Sequence, residues 1–124
     1  MKKDISNRED IVLLVNSFYD KVNIDKTIGH IFSHVAKVNW EHHLPIMVNF
    51  WTGILLDENS YSGNPMIKHI ELSKRYTLTE NHFQVWVQLF HRTVDEIFEG
   101  TKANEAKTRA ATIAQIMQSK IKMS

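Results

Sequence analysis

The chain has 124 residues, 43% of them hydrophobic, and its 15 basic residues nearly balance its 14 acidic ones for a formal net charge of +1. That length suits one domain over residues 1–124, and the absence of a basic stripe disfavours nucleic-acid binding. No cysteine is present, which excludes disulfides, iron–sulfur clusters and thiolate metal ligands. No stretch approaches the ~20 apolar residues of a membrane span, and the first residues are polar, so we expect a cytoplasmic protein.

Helical periodicity dominates the first half of the chain. Ser6 and Glu9 have the spacing of a capping box, which predicts a first helix that ends near Asn23. A second long helix is predicted over about residues 39–56, with Pro45 in its first turns, where a missing backbone donor costs least. Both segments repeat apolar residues at helical spacing: Ile11, Leu14, Val15, Phe18 and Val22, then Trp40, Leu44, Met47, Val48, Trp51 and Leu55.

The second half predicts one short helix and two long ones. Asn64 and Pro65 favour a helix start, because asparagine caps well and proline suits the first helical position, and this helix should end near Leu72. Thr79 is predicted to cap a third long helix, and an alanine-rich helix follows over about residues 104–121. The chain shows no internal repeat or clear strand pattern, so the predicted class is all-α, with four main helices plus short ones.

Four of the seven histidines are explained without a chemical role. His30 and His34 are four residues apart and could pair on a metal ion if their segment were helical. No third ligand lies near them in the sequence, so a solvated connection explains them better. His82 and His91 lie on the Thr79 helix but off its apolar stripe, where we expect surface residues.

His42 and His43 are adjacent, so a helix turns their side chains about 100° apart. His43 lies one turn before Met47 and two turns before Trp51 on the same side of the helix, beside the apolar face, whereas the residues in line with His42 are more polar. We therefore expect only His43 to face inward. On these residues alone, a partly buried core histidine with a hydrogen-bond partner explains it better than a functional group does.

His69 lies on the predicted short helix, between Met66 and Ile70. A stiff, capped helical turn suits an imidazole that must hold a metal ion in place. Spacing alone leaves a ligand and a structural residue equally open.

Aromatic side chains with a polar atom lie on three predicted helices: Tyr19, Trp40, Trp51 and Trp86. Each of them taken singly is explained as a core residue. Together with two inward histidines, such residues can enclose a flat apolar cofactor and donate hydrogen bonds to a ligand bound at it.

Several segments resemble those of the group III truncated haemoglobins, in the same order and at the same distances. They are residues 18–22, 29–32, 40–44, 49–53 and 61–66, then Phe83, Trp86, Leu89 and Phe90, and finally Arg109 with Ala110. The resemblance covers nearly the whole chain. It implies a two-over-two helical sandwich, shortened from the eight-helix globin fold.

The resemblance also implies a cofactor, haem b (protoporphyrin IX with iron), held without covalent bonds. His69 matches the position of the proximal iron ligand, while Tyr19, His43 and Trp86 match the distal positions that face a bound ligand. The doubled His42–His43 leaves open which imidazole approaches the haem. The apolar walls of the pocket would come from Phe32, Met47, Phe50, Trp51, Met66 and Ile70.

The implied ligands are the diatomic gases O2, NO and CO. A pocket with several hydrogen-bond donors holds O2 too tightly for a carrier, which favours dioxygenation of nitric oxide or peroxide-linked chemistry with electrons from an external reductase. Two other functions stay open. The first is non-catalytic gas sensing or storage, and the second is a haem-free helical interaction module in which the tryptophans are core residues.

Overall fold

The computed structural model describes residues 2–31, 40–56 and 78–123. These ranges contain four long helices: α1 Arg8–Ile24, α2 Trp40–Leu56, α3 Glu80–Ile97 and α4 Thr101–Met123. Extended backbone pairs within them at an isolated bridge between Lys3 and Phe98. The predicted all-α class with four main helices is confirmed, while the predicted short helix before Leu72 lies outside the described residues.

The start of α1 differs from its prediction. Asn7 is the N-cap, and its side chain accepts a hydrogen bond from the backbone N–H of Asp10 at 3.0 Å. The predicted capping box of Ser6 and Glu9 is wrong. Ser6 lies one residue too early, and its N–H and hydroxyl both donate to the Asp10 carboxylate, at 2.9 and 3.1 Å. The asparagine amide oxygen thus takes the capping role expected of Ser6, but on the N–H of Asp10 instead of that of Glu9.

The start of α3 confirms Thr79 as its cap. The Thr79 hydroxyl accepts from the backbone N–H of His82 at 3.3 Å, and the Thr79 N–H donates to His82 Nδ1 at 3.0 Å. This is a capping box in which a histidine takes the place usually held by glutamate or glutamine.

The start of α4 depends on the other end of the chain. Asp4 accepts hydrogen bonds from the backbone N–H groups of Lys102 and Ala103, at 3.0 and 2.9 Å. Gly100 precedes the helix with φ +134°, and a Cβ atom there would lie 2.6 Å from Asp4 Cγ, so the corner needs glycine. With these donors satisfied, α4 begins at Thr101, earlier than the alanine pattern predicts.

The core lies where α1 packs against α2 and α3, and α3 packs against α4. Phe18 and Phe90 are fully buried at its centre, and burial of such a side chain stabilises the fold by roughly 1.5–3 kcal/mol. The inner face of α4 is built from small buried residues, as its sequence pattern suggests: Ala103, Ala106, Ala110 and Ala114. Across the part of the chain that the structure describes, no helix combines the length and hydropathy of a membrane span.

Candidate functional site

Two of the predicted site residues meet between α1 and α2. The Tyr19 hydroxyl oxygen and His43 Nε2 are 3.3 Å apart, within hydrogen-bond distance. Tyr19 is buried and His43 is half-buried, whereas the neighbouring His42 is exposed. This is the arrangement expected from the 100° turn between adjacent helical residues.

Burial governs the ionisation of Tyr19. The apolar surroundings disfavour a phenolate and raise the pKa of Tyr19 far above its ordinary value. The hydroxyl therefore keeps its proton at every physiological pH. A neutral phenol can donate one hydrogen bond and accept others, so Tyr19 is suited to donate either to His43 or to a ligand beside it.

Trp40 completes a set of three rings that we call the aromatic triad, formed by Tyr19, Trp40 and His43. The ring centroids are 5.1 Å apart for Tyr19 and Trp40, 5.3 Å for Tyr19 and His43, and 5.6 Å for Trp40 and His43. Both ring pairs that include His43 are close to perpendicular, at 79° and 77°, a favourable geometry for aromatic contacts.

The ring of Phe18 connects Trp86 to the aromatic triad. It is half-buried on α3, with its ring edge-on to Phe18 at 5.6 Å and nearly parallel to Phe90 at 6.0 Å. Phe18 in turn contacts Tyr19, with their ring centroids 4.8 Å apart. Trp51 stacks on Phe90 at 4.7 Å and is buried in the core.

The remaining site predictions fall in two groups. Met47 and Phe50 are half-buried on α2 and pack against the core, where they leave part of their apolar surface uncovered by the described residues. The other predicted site residues lie outside the described ranges: Phe32, Met66, His69 and Ile70.

The other histidines are placed as follows. His30 is exposed, and His34 lies outside the described residues. His91, predicted at the surface, is instead half-buried, and its Nε2 lies 3.0 Å from the backbone carbonyl oxygen of Lys107 on α4. Among residues 2–31, 40–56 and 78–123, no three histidine or acidic side chains are grouped to hold a metal ion.

Comparison with known proteins assigns the family. The model of the bacterial-like globin family matches residues 3–120. The chain is 33% identical to the group 3 truncated hemoglobin ctb of Campylobacter jejuni over 121 residues, which cover 95% of this chain and 93% of the relative. The chain belongs to the group III truncated haemoglobins. A crystal structure of a group III truncated hemoglobin from Campylobacter jejuni matches with TM-score 0.84 and 31% identity, covering 98% of this chain and 95% of that one.

Family membership implies a haem cofactor and a small gas ligand such as O2. The chemistry of the described residues in this truncated haemoglobin fits that group. Tyr19, His43 and Trp86 are uncharged or weakly basic hydrogen-bonding side chains set among aromatic rings, which suits a polar diatomic ligand on an apolar macrocycle. Met47 and Phe50 are half-buried and leave apolar side-chain surface accessible, the kind of surface that a macrocycle requires.

Sequence reasoning counted Trp40 among the aromatic residues that could enclose a cofactor but missed its contacts. Its ring lies against both Tyr19 and His43. A signal was available, since residues three apart on a helix share a face and Trp40 precedes His43 by that spacing. The contact of Phe18 with Trp86 had no comparable signal, because it depends on how α3 packs against α1.

Proposed function

We propose that this chain holds haem b through His69 and binds O2 at its iron, for dioxygenation of nitric oxide or for peroxide-linked chemistry. The observation that carries the proposal is the contact between the buried Tyr19 hydroxyl and His43 Nε2, 3.3 Å apart, since both residues match distal positions of the family. His69 occupies the family's proximal position, where a neutral imidazole binds iron through one ring nitrogen.

Haem, when bound, supplies an iron that takes up a diatomic gas and exchanges electrons. The protein's contribution is to favour a ligand that carries partial negative charge. The proton of the Tyr19 hydroxyl and the indole N–H of Trp86 are donors for such a ligand. Each hydrogen bond of this kind contributes on the order of 1 kcal/mol or more in a dry pocket, so two or three slow release about a hundredfold.

His43 determines how the Tyr19 proton is used. If His43 donates its Nε2–H to the Tyr19 oxygen, the phenol proton is directed to the ligand; if Nε2 is unprotonated, it competes for that proton. Tyr19 is buried among aromatic neighbours, and this apolar environment strengthens either bond to its hydroxyl. A pocket that retains its ligand in this way favours chemistry on the ligand over delivery of it.

A visible-range absorption spectrum of the purified protein tests the cofactor. We expect a Soret band and a shift of that band when the reduced protein is exposed to carbon monoxide. A protein without that band would be the haem-free helical module.

Turnover separates redox chemistry from sensing or storage. We expect the reduced, oxygenated protein to consume nitric oxide repeatedly when an external reductase supplies electrons. Stable ligand binding without turnover of nitric oxide or peroxide would instead favour a sensor or store.

A further inference from the structure

Trp40 contacts both members of the Tyr19–His43 pair. Its ring centroid lies 5.1 Å from that of Tyr19 and 5.6 Å from that of His43. The tyrosine and histidine rings also contact each other, at 5.3 Å, so the three contacts of the aromatic triad close a triangle. If the imidazole swung away from Tyr19, it would lose its contact with the Trp40 ring as well as the hydrogen bond.

Pro45 costs α2 more than the sequence predicts. Because the helix begins at Trp40, Pro45 lies beyond the first-turn positions whose N–H groups have no helical partner. Trp40 is the first residue of α2, and His43 lies about one turn further on, two residues before the proline. Proline has no N–H, so the carbonyl of Glu41 receives no helical hydrogen bond from position 45, and the residue before proline is disfavoured in helical geometry. The turn that carries both rings therefore depends more than usual on its side-chain contacts.

His43 also has an alternative to its inward position. It is half-exposed, so an outward rotamer would place the imidazole in solvent. We infer that Trp40 is a positioning residue that holds the His43 imidazole on the Tyr19 hydroxyl and thereby sets the lifetime of a bound gas ligand. The inference rests on the proposed function, because it concerns the same pocket. An edge-to-face ring contact shifts such a rotamer equilibrium by about twofold to tenfold.

The position of His43 is measured by nuclear Overhauser effects between the ring protons of Tyr19 and His43, in the carbon monoxide complex of the full chain. We expect them in the natural protein and in Trp40→Phe, which keeps a ring, and expect them to weaken or disappear in Trp40→Leu. Phe98→Leu is the matched control, since it removes a buried ring at the C-terminal end of α3. Unchanged effects in Trp40→Leu would overturn the inference. Should Trp40→Leu not fold, Trp40→Met takes its place.

The consequence for the ligand is measured by stopped-flow O2 dissociation. We expect Trp40→Leu to change the O2 off-rate in the same direction as His43→Ala, by about threefold or more, and Trp40→Phe to restore it. In a His43→Ala background, Trp40→Leu should add nothing, because its effect acts through the imidazole. Independent, additive effects of the two substitutions would overturn the positioning role.

The two proposals fail in distinguishable ways. A purified protein without a Soret band contradicts the proposed function. The Overhauser effects are then recorded on the haem-free chain, where they test only whether Trp40 positions the His43 imidazole. A haem protein in which Trp40→Leu leaves both the Overhauser effects and the O2 off-rate unchanged contradicts the role of Trp40 and leaves the proposed function standing.

Discussion

Asp4 and Ala103 are 99 positions apart in the sequence, yet Asp4 Oδ1 accepts a hydrogen bond from the backbone N–H of Ala103 at 2.9 Å. Asp4 Oδ2 accepts a second one from the N–H of Lys102 at 3.0 Å. The residue that follows, Ile5, is buried in the core. The first residues of the chain thus cap α4 and tie the α3–α4 corner to α1.

Replacement of Asp4 by Ala should therefore destabilise the fold through the loss of this cap. We expect a decrease of about 1–2 kcal/mol in the free energy of unfolding, the usual worth of a helix cap. Urea denaturation followed by circular dichroism measures it. Asp20→Ala, at an exposed position on α1, is the matched control and should change stability by less than about 0.5 kcal/mol. Equal effects of the two substitutions would contradict the capping role.

The same cap makes the free energy of unfolding decrease at acid pH. Burial alone would raise the pKa of Asp4, but hydrogen bonds from the N–H groups of Lys102, Ala103 and Ile5 outweigh it and hold the pKa below its ordinary value. The folded-state pKa is thus lower than the unfolded one. The contribution of Asp4 to the free energy of unfolding is fully present above about pH 4 and is lost as the pH falls through the folded-state pKa. In Asp4→Asn, the free energy of unfolding should decrease less at acid pH than in the natural protein.

The histidine in the α3 capping box should make stability depend on pH near neutrality. Burial, together with the neighbouring His30, lowers the pKa of His82. A proton on Nδ1 would also remove the acceptor of the Thr79 N–H. Since the unfolded chain takes up the proton first, the contribution of His82 is complete above about pH 6.5 and is lost as the pH falls from there towards its folded-state pKa.

His82→Gln tests this directly, because a glutamine oxygen can accept the same hydrogen bond without titrating. We expect the urea midpoint of the natural protein to fall more than that of His82→Gln between about pH 7.5 and pH 5.5. His42→Gln, at an exposed position, is the control and should keep the natural pH dependence. Parallel pH profiles for the natural protein and His82→Gln would rule out the capping histidine as their cause.

The iron ligand is tested by replacement of His69 with Ala. We expect the variant to lose most of its haem, or to hold haem only when free imidazole is added. The reason is that the His69 side chain would supply the protein's bond to iron. Haem content from the pyridine haemochrome spectrum measures the loss. An undiminished haem content and an unchanged ferrous spectrum would show that another residue binds the iron.

The adjacent histidines form a matched pair. His43→Ala should alter the O2 off-rate and the ferric spectrum, because it removes the group within hydrogen-bond distance of the Tyr19 hydroxyl. His42→Ala should change them little, since His42 is exposed on the neighbouring row of α2. Stopped-flow kinetics on both variants decide between them. The reverse result would mean that the other imidazole faces the ligand in the loaded protein.

Tyr19→Phe removes the hydroxyl and keeps the ring, so the contacts of Phe18 and Trp40 with it are largely preserved. We expect the O2 off-rate to rise by about tenfold or more, the worth of one charge-assisted hydrogen bond. Carbon monoxide carries little charge when bound and should respond much less. Stopped-flow dissociation of both gases measures the difference, and equal acceleration for the two gases would instead indicate a steric gate.

Local patterns in the sequence were enough to predict the four long helices and the inward orientation of His43. The apolar period predicted four long helices, and Thr79 was identified as a cap from its position alone. The inward side of His43 followed from the turn between adjacent residues of α2. These features depend on neighbours within about one or two helical turns, and such neighbours are visible in the order of residues.

Tertiary structure decided the contacts that join segments far apart in the chain. The hydrogen bond to Asp4 caps α4 at a start earlier than the sequence predicted. The packing of α3 on α4 brings His91 Nε2 within hydrogen-bond distance of the Lys107 carbonyl oxygen. The 3.3 Å approach of Tyr19 to His43 depends likewise on the docking of α1 on α2. Helical periodicity specifies which face of each helix is apolar, but packing of both faces specifies the angle and offset at which two helices meet. Which polar atoms of those faces come within hydrogen-bond distance is therefore a property of the packed core.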